Sequence, residues 1–188
     1  MYIARQKRKE NIAEYILYLW QLEDLLRALQ FSPEAIYSQL VAKNTTLNEE
    51  EMQALFFWYM ELGSLLRQEG KEEHGHLDHT LHLIKDLNEL HESLLKLPVG
   101  EVYRGVFMPL SVELSRLREK FEKPGLSDVE FMMRALYSAM LYRIKGDEAH
   151  KGYVDDVLGL VSPVVAQLAQ AFRDIEEGRL DLYEGTQK

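Results

Sequence analysis

The chain of 188 residues contains no cysteine. Disulfides, thiolate zinc sites and a cysteine nucleophile are therefore excluded, and this composition is typical of a reducing cytoplasm. Positive charge is also scarce, because 22 Lys and Arg stand against 31 Asp and Glu and leave a net charge of −9. A nucleic-acid binder needs clustered positive charge. We therefore expect a cytoplasmic protein without a nucleic-acid partner.

Long apolar runs are missing as well. The longest uninterrupted run covers the seven residues 54–60, whereas a membrane-spanning helix needs about 20. The N-terminus is basic from Arg5 to Lys9, but Asn11 and Glu14 interrupt the apolar stretch that a secretory signal would require. We therefore expect a chain that neither crosses a membrane nor is exported.

Helical periodicity is what the sequence does contain. Apolar residues recur at spacings of three and four, and no window alternates as a strand would. We predict an all-α, single-domain helical bundle of six or seven helices over residues 1–177, with a charged, frayed tail over residues 178–188. A kink or a helix start is expected at Pro109, and a bend or break near Gly159 and Pro163. The predicted helices cover residues 11–30, 33–43, 49–67, 76–96, 102–123, 128–145 and 148–177.

The N-terminal block carries a resemblance. The run from Arg8 to Tyr18, followed by Trp20-Gln21 and Glu23-Asp24-Leu25, resembles the opening of an uncharacterised bacterial family known only as a domain of unknown function. Shorter pieces such as Gly75-His76-Leu77 are also similar. The resemblance implies an all-α cytosolic protein and carries no assigned activity.

A histidine-rich run invites a metal-binding interpretation. Residues 74–79 read H-G-H-L-D-H, which matches the H-x-H-x-D-H signature of the metallo-β-lactamase fold. In that fold the signature follows a buried strand, whereas here Leu81 and Ile84 continue a helix. A dinuclear site is therefore not predicted. A metal-dependent bundle enzyme that uses His76, His79, His82 or His91 is kept as an alternative.

Two polar residues lie at inward-facing positions of predicted helices. Glu23 falls between Ile16 and Leu19 on the apolar arc of its helix, and His91 falls between leucine and isoleucine positions of its own. A buried carboxylate must be paired, and Arg27 is one turn further along. We therefore predict a buried, hydrogen-bonded Glu23 with Arg27 as its partner, and a possible interior polar site made of Glu23, Arg27 and His91.

One predicted helix has too many apolar residues for a single buried face. Phe57 and Met60 fall opposite the main apolar stripe of residues 49–67, and Trp58 flanks that stripe. A crowded core or a second subunit would bury them. Phe57, Trp58 and Met60 are therefore a candidate interface of a homodimer.

Three interpretations of function follow. The first is a non-catalytic helical protein that acts through protein contacts, as a homodimer or with another protein. The second is the metal-dependent enzyme, and the third is a small-molecule sensor with an interior pocket. No phosphate-binding loop or nucleophile motif occurs. The first is favoured, with no catalytic residue, no metal site and no cofactor predicted.

Overall fold

The computed structural model describes residues 2–119 and 125–183, and these residues form helices without a strand. The all-α prediction is confirmed, but the described residues contain eight helices rather than six or seven. The extra helix is α1, because Asn11 separates it from α2 and its side chain caps the N–H of Ala13 at 3.0 Å. The bounds are α1 Tyr2–Glu10, α2 Ile12–Ala28, α3 Pro33–Ile36, α4 Glu49–Gln68, α5 Asp78–Lys96, α6 Glu101–Arg118, α7 Asp128–Lys145 and α8, which begins with Lys151–Asp156 and ends with Ser162–Glu176.

Two helices contain a π-helical turn. The turn Tyr37–Val41 extends α3, and the turn Val157–Val161 joins the two parts of α8. The backbone keeps right-handed helical angles at Asp156 and at Ser162. Helix α8 therefore continues past Gly159 and Pro163, because the wider turn accommodates the proline, which lacks an N–H. The expected irregularity near Gly159 is this π turn, and the chain does not leave the helix there.

Pro109 lies inside a helix. Helix α6 begins at Glu101 and continues through Pro109 to Arg118, so a helix start at Pro109 is wrong. The proline removes the N–H that would bond to the carbonyl of Gly105 one turn earlier. The predicted end of this helix at residue 123 lies outside the described residues.

The chain divides into two compact units. The first unit contains Met1–Lys9 and Glu14–His82, and the second contains Glu10–Ala13 and Leu83–Lys188. In the first unit α2, α3, α4 and the segment before α5 share one apolar core. Its buried members are Leu19, Leu22, Leu26, Ile36, Val41, Tyr59, Leu62, Leu66 and Leu77. A single domain over residues 1–177 stays a prediction.

The second unit is built around α7. This helix contacts both parts of α8 and the π turn between them, and α6 packs against the C-terminal part of α8. The side chains of Phe131, Met132 and Met133 on α7 are fully buried. In the described part of the chain, no helix is long and apolar enough to cross a membrane.

Tyr59 makes the first unit sensitive to alkaline pH. Burial, together with the neighbouring Tyr18, raises the pKa of Tyr59 to about 12. An unfolded tyrosine ionises near pH 10, so between pH 10 and 12 the folded state holds a proton that the unfolded state has lost. The free energy of unfolding is therefore expected to fall as the pH rises, by at most about 1.4 kcal/mol per pH unit from this group.

Denaturant unfolding across this pH range measures the effect. Tyr59→Phe should make the alkaline decline less steep, whereas Tyr2→Phe, at a residue that is 79% exposed, should leave it unchanged. Equal slopes in the two variants would contradict the assignment.

Candidate functional site

Glu23 is a buried carboxylate at the start of α5. Its side chain on α2 is 1% exposed. Oε1 accepts a hydrogen bond from the N–H of Leu77 at 3.2 Å, and Oε2 lies 2.8 Å from Nδ1 of His76. Because a carboxylate only accepts, Nδ1 of His76 carries the proton. Glu23 therefore pairs with two groups of the segment that leads into α5, and its negative charge lies at the positive end of that helix.

His76 and Trp20 complete this buried polar cluster. The two rings are stacked with centroids 3.9 Å apart. The indole N–H of Trp20 donates to Oγ1 of Thr80 at 3.1 Å, and Thr80 donates to the carbonyl of Leu77 at 2.8 Å. The side chains of α2 thus hold the N-terminus of α5 by both hydrogen bonds and stacking.

Arg27 is not the partner of Glu23. Its guanidinium donates to Oδ1 of Asp24 at 2.8 Å and to the carbonyls of Lys71 and Gly75 at 3.0 and 2.5 Å. The prediction of a buried, bonded Glu23 agrees with the geometry, but the predicted pair is wrong. In the segment between α4 and α5, backbone carbonyls accept hydrogen bonds from Arg27. The imidazole of His76 and the N–H of Leu77 in the same segment bond to Glu23 instead.

The histidine-rich run does not converge on one point. His74 is exposed, His76 bonds to Glu23, and Asp78 accepts a hydrogen bond from Nζ of Lys71 at 2.6 Å. The residues that the structure describes contain no group of three or more histidine or acidic side chains able to hold a metal ion. The run therefore folds as the segment that attaches the start of α5 to α2.

A pocket lies beside this cluster, within the first unit. Its volume is about 560 Å³, which is within the usual range for small-molecule sites, about 300–1,000 Å³. Helices α1, α2, α4 and α5 all contribute to its walls. The lining residues are Ala4, Arg5, Arg8, Lys9, Tyr15, Leu19, Trp58, Glu61, Leu62 and His79.

The pocket combines an apolar body with a basic side. Leu19, Leu62, Tyr15 and Trp58 form the apolar part, whereas α1 presents its basic side chains. No acidic residue occurs in the first turn of α1, and its last turn contains Lys7, Arg8 and Lys9 before the terminal Glu10. Positive charge is thus concentrated at one pocket of an acidic chain.

Two of these basic residues have no partner within residues 2–119 and 125–183. Lys7 pairs with Glu14 at 2.8 Å and lies outside the pocket. Arg5 and Lys9, by contrast, form no ion pair or hydrogen bond with the residues that the structure describes. Their charges are therefore available to a ligand.

His79 connects the pocket to the buried cluster. Its ring lies 6.4 Å from that of Tyr15. Desolvation lowers the pKa of His79, against the attraction of Glu23 and Glu69, which acts in the opposite direction. His79 is therefore favoured as a neutral imidazole, which can donate or accept a hydrogen bond in the pocket.

The model of one protein family matches this chain over residues 1–179, and its description is "Domain of unknown function (DUF4924)". The chain belongs to this family. The resemblance of the N-terminal block to a domain of unknown function is thereby confirmed. No curated protein and no solved structure matches the chain.

His91 of this DUF4924 protein lies in the second unit, whereas Glu23 and Arg27 lie in the first. It is 1% exposed, and its Nδ1 lies 2.6 Å from the hydroxyl of Tyr103. Nε2 is 3.4 Å from Oδ2 of Asp128 but has no hydrogen-bond partner among the described residues. The nearby imidazole of His91, followed by the guanidinium of Arg118, which donates to Oδ1 at 2.6 Å, lowers the pKa of Asp128 against the effect of burial. His91 is thus held within its own unit.

The three residues predicted to form an interface have different surroundings. Phe57 is 57% exposed. Trp58 and Met60 are half-buried and pack against the core of the first unit, and Trp58 also lines the pocket. The interface role of Phe57 stays a prediction.

The sequence interpretation missed the pocket of this DUF4924 protein. Arg5 and Lys9 looked like the solvated beginning of a helix. The signal available was their contrast with the net charge of −9, together with the helix break at Asn11, which makes α1 a separate element.

Proposed function

We propose that this protein binds a small amphipathic anion in the pocket of the first unit. The observation that carries the proposal is the pair of cations, Arg5 and Lys9, which line an apolar, aromatic cavity and bond to none of the described residues. A neutral ligand would not form ion pairs with these two cations. A fully hydrophilic anion would not pack against the rings of Trp58 and Tyr15. The proposal takes up the third interpretation of the sequence, a small-molecule sensor.

The chemistry of the walls defines the ligand class. An apolar or aromatic body packs against Trp58, Tyr15 and Leu62, and such ring contacts contribute about 0.5–1.5 kcal/mol beyond area burial. A carboxylate, sulfonate or phosphate group accepts hydrogen bonds from Arg5 and Lys9, and charge-assisted bonds are about twice as strong as neutral ones. Glu61, also on the wall, disfavours a second negative group at its side of the pocket.

Calorimetric titration with 1-naphthalenesulfonate tests the proposal. The sulfonate is expected to bind the wild-type protein, and the uncharged 1-naphthalenemethanol is expected to bind at least about tenfold more weakly, because one lost charge-assisted bond is worth about 1.5 kcal/mol or more. Native mass spectrometry of untagged protein checks for a co-purified acid of the same class.

Charge reversals on α1 supply the matched comparison. Arg5→Glu with Lys9→Glu should weaken sulfonate binding by about a hundredfold, since two attractive contacts become repulsive. Lys7→Glu makes the same type of change on the same helix outside the pocket and should weaken binding much less. Equal losses in both variants, or no binding by the wild type, would overturn the proposal.

A further inference from the structure

Helix α6 of the second unit carries an apolar face that the described residues of that unit leave uncovered. Val102 is 68% exposed, Met108 63% and Val112 75%. Gly105 and Pro109 are exposed on the same side. Most of a folded protein's isolated apolar residues need no explanation, but a continuous row along one helix marks a contact surface.

The centre of this face has a symmetric order. At 100° per residue, Glu101, Gly105, Val112 and Arg116 fall within an arc of about 60°, and Met108 and Pro109 flank its midpoint. An acid thus begins the row, and a base ends it. When two copies of this row lie antiparallel, the acid of each row is therefore opposite the base of the other.

We propose that a second copy of this chain docks on α6, with the two helices antiparallel about a two-fold axis between Met108 and Pro109. In this arrangement Glu101 faces the partner's Arg116, and Gly105 faces the partner's Val112. Each contact occurs twice, as a two-fold interface requires. The charge order therefore selects the antiparallel direction, because a parallel pair would place like charges opposite each other.

Gly105 supports a close approach of another helix. Glycine is among the least favourable residues inside a helix. No positive φ requires it here, and a Cβ at this position would meet no atom within 4 Å. A valine from a facing helix fits the space that the missing side chain leaves.

The expected association is moderate. An 18-residue helix is roughly 27 Å long, and a pair of such helices buries less than the roughly 800 Å² per partner of a standard interface. The net charge of −9 on each copy opposes association further. We therefore expect a concentration-dependent monomer–dimer equilibrium.

Sedimentation velocity across a hundredfold range of concentration tests the contact. The wild-type mass should rise from 22.0 kDa toward twice that value. Glu101→Arg should weaken the dimer about tenfold or more, because two exposed ion pairs become repulsive. Glu101→Arg combined with Arg116→Glu should regain dimerisation. Glu89→Arg, at an exposed residue of α5, is the charge-matched control.

A second measurement does not depend on Arg116, which also bonds to Glu113 and Asp156. Because the chain has no cysteine, Met108→Cys should form a disulfide-linked dimer under mild oxidation. Ile144→Cys, at a residue of similar exposure (66%), should cross-link much less. Val112→Asp should abolish the cross-linking of Met108→Cys.

Three outcomes would overturn the proposal. The first is a wild-type monomer at every concentration. The second is a dimer that Glu101→Arg and Val112→Asp do not weaken, especially if Phe57→Ser dissociates it. The third is equal cross-linking at positions 108 and 144.

Discussion

His76→Ala is expected to lower the free energy of unfolding by about 3–5 kcal/mol. Glu23 is 1% exposed, so the variant would leave a buried carboxylate whose remaining partner among the described residues is the N–H of Leu77. The stacked contact with Trp20 would be lost as well. A buried charge that loses one partner is much more destabilising than the loss of an exposed ion pair, which costs less than about 1 kcal/mol.

A double-mutant cycle separates the pair from the stacking. We expect a coupling energy of about 1–3 kcal/mol between Glu23→Gln and His76→Ala in denaturant unfolding. His74→Ala, an exposed change in the same segment, should stay within about 0.5 kcal/mol of the wild type. A loss below 1 kcal/mol in His76→Ala would contradict the structural role of this cluster.

Gly100→Ala is expected to destabilise the protein by more than about 3 kcal/mol. A Cβ on Gly100 would overlap the backbone carbonyl of Leu94 at the junction between α5 and α6. The same junction binds Arg104, which donates to the carbonyls of Leu94 and Leu97 at 2.9 and 2.6 Å. Backbone atoms fixed in this way have little freedom to move away from the added methyl group, so the whole connection must shift.

Gly152→Ala is the matched control. A Cβ at Gly152 in α8 would meet no atom within 4 Å, and alanine is a better helix former than glycine by about 1 kcal/mol. Thermal and denaturant unfolding should therefore show opposite signs for the two substitutions. A Gly100→Ala variant as stable as the wild type would mean that the junction can relax.

The helices could be predicted where local chemistry determines them. Helix α4 begins after Asn48, whose side chain and that of Glu51 form a capping box, which is a pattern of local sequence. Helix α2 follows its apolar repeat closely. Pro109 was misleading, because a helix that starts at Glu101 tolerates it on an exposed face.

The site could be predicted only in part. The burial of Glu23 follows from its position between Ile16 and Leu19, since one helix turn determines which residues share a face. Its partner His76 is 53 residues away, and no spacing rule relates two segments separated by a complete helix. Arg27 was the nearest cation along the chain, but the path of the backbone between α4 and α5 decides what it bonds to.

The hydrogen bonds between α2 and the segment at the start of α5 also have a consequence for the order of folding. They join residues that are 44 to 60 positions apart. Local helix turns form within about a microsecond, but these contacts require the closure of a long loop, which is entropically unfavourable. We therefore expect the Glu23–His76 bond to form after the folding transition state, and His76→Ala to accelerate unfolding more than it slows folding. The cluster at the start of α5 is thus expected to slow the unfolding of the native state.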